Sequence, residues 1–127
     1  MNWYLDAWKK YADFSGRARR SEFWYFMLFH FLIFSLLFLP VPIMKSKLSL
    51  IPFVICWAYV IVSFIPSMAV LVRRLHDTSR SGFNYFISLI PIIGMIMLIM
   101  FLKEEGVPGP NKYGPNPKEP HQDPVLV

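Results

Sequence analysis

Three stretches of this chain contain no Asp, Glu, Lys or Arg: 22 residues from Phe23 to Met44, 25 from Leu48 to Val72 and 22 from Ser81 to Leu102. A helix rises about 1.5 Å per residue, so each run exceeds the roughly 20 residues that cross a hydrocarbon core about 30 Å thick. The chain has 127 residues, of which 55% are apolar and only 17% charged, so these runs make up most of it. The pattern predicts an all-α integral membrane protein with three kinked transmembrane helices, at about 23–44, 48–72 and 82–102, plus an amino-terminal amphipathic interfacial helix. Residues 1–117 are read as one membrane domain and 118–127 as a disordered tail. No small-residue cleavage site follows the first run, which is therefore read as a retained span.

Prolines and small residues shape the spans. Pro66 and Pro91 remove the backbone bonds to Val62 and Ile87, and a carbonyl freed at membrane depth needs another donor. Ser63, Ser67 and Ser88 are close enough in sequence to supply hydroxyls. Pro40 and Pro42 close the first span, Pro52 fits the first turn of the second, and Gly94 offers a close approach between helices.

Basic residues hold their loops on the cytoplasmic side during insertion. Lys9, Lys10, Arg17, Arg19, Arg20, Arg73, Arg74 and Arg80 share one side of a three-span chain, against Lys45, Lys47, Lys103, Lys112 and Lys118 on the other. All six arginines fall on the first side. This predicts a multi-pass membrane protein with a cytoplasmic amino terminus and a carboxyl terminus on the opposite side.

Ahead of the first span, Trp3, Tyr4, Ala7, Trp8 and Tyr11 fall on one face of a helix over 2–13. That face suits either the headgroup region or the protein's own bundle. Ser15-Gly16 breaks the pattern, and Ser21 and Glu22 suit the start of the next helix.

Two basic segments carry the richest chemistry, Phe14 to Trp24 and Arg73 to Gly82. Arg17, Arg19, Arg20, Arg73, Arg74 and Arg80 face only Glu22 and Asp77, which leaves an excess of positive charge. Arginine forks match phosphate oxygens, so an anionic lipid headgroup is the candidate ligand; the competing reading is internal pairing, such as Asp77 with an arginine of the first segment. Glu22, His30, Asp77 and Asn84 are read as structural polar contacts. His30, the one imidazole inside a span, lacks the second intramembrane carboxylate or histidine that a proton relay or metal site needs. Cys56, the single cysteine, reads as a buried small residue and excludes an intramolecular disulfide. No catalytic constellation, metal set or cofactor motif is visible, and no nucleic-acid partner is expected.

The combination of Phe14 to Phe26, Arg73 to Gly82, Ile90-Pro91-x-x-Gly94 and the Gly109 to Pro117 tail resembles the bacterial family called domain of unknown function 805, over about residues 10–117. The departures are Ser79 in place of Gly, Phe83-Asn84 in place of an aromatic pair, Lys112 in place of Arg and Asn116 in place of Asp. The resemblance implies a small multi-pass protein of the bacterial inner membrane, which makes the side opposite the arginines, and with it the expected carboxyl terminus, periplasmic; it assigns no activity. Two function classes follow: a lipid- or partner-binding membrane protein using its arginine cluster, with a homo-oligomer or another membrane protein as further partners, or a small oligomeric transport or channel component. An enzyme ranks third.

Overall fold

The computed structural model describes residues 3–118, and among them the architecture is all-helical. Helix α1 covers Trp3–Lys9, shorter than the expected 2–13, and Asn2 lies outside the described residues. Helix α2 covers Arg20–Phe38 and runs on through Leu39 into the single-turn helix α3, Pro40–Ile43. A 3-10 turn at Lys47–Ser49 leads into α4, Leu50–Asp77. Ser46 caps that turn by accepting a bond from the Leu48 amide. Beyond α4 come a 3-10 helix at Gly82–Leu89 and helix α5 at Ile93–Lys103.

Helices α2 and α4 form an antiparallel pair, tied near one end by Glu22 and Arg73 at 3.0 Å and farther along by His30 and Tyr59 at 2.8 Å. The core gathers at the first of these ends, from Phe23, Phe26, Val70, Leu71, Leu75, Leu98 and Leu102. Helix α1 joins it through buried Ala7, with Tyr4 stacked on Phe26 at 5.5 Å and its hydroxyl 3.4 Å from that of Tyr59. Lys9 and Lys10 stay exposed. Ser21 does not cap α2, which begins one residue earlier after Arg19, without a side-chain cap.

The third apolar run, read from the sequence as a span over 82–102, is not one continuous helix. Pro91 has no N–H and pushes the preceding residue out of the helical region. Ile90 is accordingly extended and Ile92 takes a φ of +63°. The Ile87 carbonyl accepts from Ile90 N at 3.1 Å, which closes a turn. The two arms then meet so closely at Gly94 that any Cβ there would overlap the Ile87 carbonyl.

After α5 the chain returns to the arginine segments, with Val107 N donating to the Asp77 carbonyl at 2.9 Å. The tail therefore lies at the same end of the molecule as Arg17 and Arg73, whereas the sequence reading has it leave from the opposite end. Lys118 is placed, 2.7 Å from Glu105; the rest of the expected disordered segment, 119–127, lies outside the described residues.

Pro66 behaves differently from Pro91, because α4 continues through it. The carbonyl it frees, on Val62, accepts the Tyr11 hydroxyl at 2.8 Å. The serines expected in that role bond elsewhere: Ser63 to the Val60 carbonyl, Ser67 to Ser63 and Ser88 to Tyr85. Tyr11→Phe removes this bond and is expected to cost about 0.5–1.5 kcal/mol. A thermal unfolding midpoint in detergent equal to that of the unchanged protein would show that the bond carries no weight.

Candidate functional site

The arginine end is built around Asp77, the last residue of α4. The loop before α2 brings Arg17 to it, and one turn of α4 brings Arg74. Arg17 Nε donates to Asp77 Oδ1 at 2.9 Å, and Arg74 Nη1 donates to Asp77 Oδ2. Arg17, Arg74 and Asp77 keep only 7%, 0% and 1% of their surface. Charges removed from water this completely need both opposite charge and hydrogen bonds.

Backbone carbonyls, half of them in the tail, supply the remaining bonds. Arg17 donates to Val107 at 2.6 Å, Gly109 at 2.7 Å and Asp77's own carbonyl at 3.2 Å. Arg74 donates to Leu102 at 3.1 Å, to Ala18 at 3.3 Å and to Glu104. The carbonyls in the last turn of a helix lack intrahelical donors and carry the negative end of its dipole, so the end of α5 suits a guanidinium. Gly106 passes so near the Asp77 carboxylate that a Cβ there would overlap it. Arg73 is equally buried, but only Nη1 is paired, with Glu22; its Nε and Nη2 have no partner among the described residues.

His76 fastens the same junction. Nδ1 donates to the Gly16 carbonyl at 3.0 Å, and Tyr113 stacks on the ring at 3.8 Å, nearly parallel. Asn111 Nδ2 reaches the His76 carbonyl at 2.9 Å and Ser79 Oγ at 3.1 Å.

The other three arginines lie nearer the surface. Arg19 Nε donates to the Pro117 carbonyl at 2.6 Å. Arg80 forks onto Glu104 at 2.6 and 3.2 Å, with its guanidinium 4.0 Å above the Phe101 ring. Arg20 is exposed and spends Nη1 on the Lys103 carbonyl at 3.1 Å. Beside it lies an open groove of about 600 Å³ lined by Arg20, Ser21, Trp24 and Lys103.

Two surface carboxylates nearby are shifted. The Ser15 hydroxyl, 2.6 Å from Oδ1, holds Asp13 below its ordinary pKa, and the Lys118 ammonium holds Glu105 below its own.

The six arginines expected to bind a headgroup are thus brought to one end, but Arg17, Arg73 and Arg74 are sealed inside it. Glu22 and Asp77 are their counterions. His30 bonds Tyr59 through Nδ1 and stacks on Phe26 at 5.9 Å, away from the arginines. Asn84 donates to the Ser81 carbonyl at 3.1 Å, inside its own turn. Sequence reasoning missed Trp24 and Lys103 as neighbours of Arg20, and missed the tail as an arginine acceptor. The closely spaced Gly106, Gly109 and Gly114 were the available signal for the latter. No group of three or more His, Cys, Asp or Glu residues converges as a metal site among the described residues.

The chain that makes these contacts is similar to known proteins. The family described as Protein of unknown function (DUF805) matches residues 11–115. The chain belongs to that family. It is 38% identical to Inner membrane protein YhaI of Escherichia coli (strain K12) over 118 residues, 93% of this chain and 97% of that protein. It is 40% identical to Inner membrane protein YhaH of the same strain over 118 residues, 93% and 98% of the two chains. No solved structure matches.

Proposed function

We propose that the protein is a small inner-membrane protein that binds an anionic phospholipid headgroup at its cytoplasmic face, in the groove between the start of α2 and the end of α5. The observation that carries this reading is the pairing of exposed Arg20 and Lys103 around an open groove, with the Ser21 hydroxyl and the Trp24 indole on the same wall. Arg20 Nε and Nη2 have no bond among the described residues and suit a phosphate fork, Lys103 adds a point charge, and tryptophan is favoured at the depth where headgroup meets acyl chain. Membership of a family with inner-membrane relatives supports the location, and α2 with α3 and α4 are long and apolar enough to cross a bilayer. The gathering of all six arginines at one end supports the cytoplasmic assignment of that end. His30 and Asn84 are each committed to a contact inside the protein, which favours binding over transport.

Native mass spectrometry of the purified protein with anionic and zwitterionic phospholipid tests the proposal. Each basic residue near an anionic surface is worth about 1 kcal/mol, so Arg20→Gln with Lys103→Gln should weaken the anionic adduct roughly 30-fold. Lys45→Gln with Lys47→Gln, at the far end, should leave it intact. Equal loss in both pairs of variants would reduce the site to unspecific charge.

A further inference from the structure

The third apolar run ends where it begins. Arg80, two residues ahead of the 3-10 helix, forks onto Glu104 just past α5, while Arg74 and Arg20 hold the carbonyls of Leu102 and Lys103. Gly82 packs so tightly on Val72 of α4 that an added Cβ would lie 2.9 Å from its side chain. Both arms therefore start from the arginine end of α4.

The arms are short. Eight residues of 3-10 helix and eleven of α-helix each reach about 16 Å, at about 2.0 and 1.5 Å per residue. That is about half of a hydrocarbon core of about 30 Å. Helix α4, with 28 residues, reaches about 42 Å on the same rise.

The hairpin surface is uncharged and mostly apolar. No charged residue occurs from Ser81 to Leu102, and Phe83, Leu89 and Ile92 leave 79%, 74% and 76% of their surface uncovered. A partner helix would need one stripe. On α5, however, Ile93, Met95, Ile96, Ile99 and Met100 are all exposed, and only the face of Gly94, Leu98 and Leu102 is buried. Exposure on several faces fits a fluid surround of acyl chains. The turn also closes its own backbone bonds, as a chain reversal inside lipid must: Ile93 N to the Pro91 carbonyl at 2.7 Å and Gly94 N to Ile90 at 3.1 Å.

We infer that Gly82–Lys103 is a re-entrant hairpin immersed in the acyl chains of the arginine-side leaflet alone, which returns the chain to the side from which it entered. The partner is one lipid leaflet, and the surface is distinct from the headgroup groove. The protein then crosses the bilayer twice and carries both ends of residues 3–118 on one side.

The test combines two readings on the full chain with Cys56→Ser. A reporter active only in the periplasm, fused after Val127, should be silent, as should one fused after Ser79. Nitroxide labels on Leu89→Cys and, separately, Ile93→Cys in lipid nanodiscs should relax with oxygen and resist a water-soluble nickel chelate. An active reporter after Val127 with a silent one after Ser79 means a full third span and overturns the inference. Labels relaxed by nickel place the hairpin outside the lipid and overturn it. Labels shielded from both relaxants and broadened by a second label show a protein partner, and overturn the lipid occupant. Two sites in opposite arms keep the test informative if one variant fails to fold. Loss of headgroup binding moves none of these readings.

Discussion

Asp77→Asn is expected to collapse the arginine end of the molecule. The substitution keeps size and shape but removes the carboxylate shared by Arg17 and Arg74, two guanidiniums with almost no contact with water. Breaking a buried ion pair by removing one partner costs about 3–5 kcal/mol, because the other charge stays behind uncompensated. Here two charges stay behind. A thermal melt in detergent should shift downward by many degrees, and the segment after Lys103 should become open to protease, since Arg17 and Arg74 hold it through Val107, Gly109 and Glu104. Asp6→Asn is the matched control: Asp6 pairs with exposed Lys9 at 3.7 Å, an i,i+3 contact worth a few tenths of a kcal/mol. If the two variants melt alike, Asp77 is not the centre of the arginine end.

Much of the architecture is legible in the sequence, and the reasons for the rest are physical. The first two uncharged runs fold as long helices. In the second, Pro66 leaves one gap in the backbone ladder without ending the helix, and Tyr11 reaches across to take the freed carbonyl. Pro91 has the same chemistry and the opposite outcome. Ile87 finds its donor locally, in Ile90, and Gly94 lets the two arms close on each other. A run of 22 uncharged residues is long enough either to cross a bilayer or to enter and return, so counting charges does not distinguish the two.

The arginines give a second instance. Set against acidic side chains alone, six guanidiniums face Glu22 and Asp77, and the surplus reads as a surface for anions. Most of their acceptors are main-chain carbonyls, on Ala18, Leu102, Lys103, Glu104, Val107, Gly109 and Pro117. A carbonyl has no residue-type signature, so half of the network cannot be seen in composition. With these partners in place, exposed Arg20 lies beside Lys103, a pair that sequence separates by most of the chain and the fold joins through the end of α5.

The tail and the loop after α4 meet at one end of the molecule, around buried arginines. The most direct measurement is a cross-link in intact membranes between Ser79→Cys and Asn111→Cys, in a chain carrying Cys56→Ser. Asn111 Nδ2 lies 3.1 Å from Ser79 Oγ, and the Asn111–Gly114 bridge fixes the turn that presents it. Mild oxidation should join the two cysteines within one chain, with fast mobility on a non-reducing gel that reverts on reduction. A tail on the far side of the bilayer would hold them about 30 Å apart, and no intramolecular bond would form. That result, from a protein otherwise folded and membrane-bound, would contradict the account.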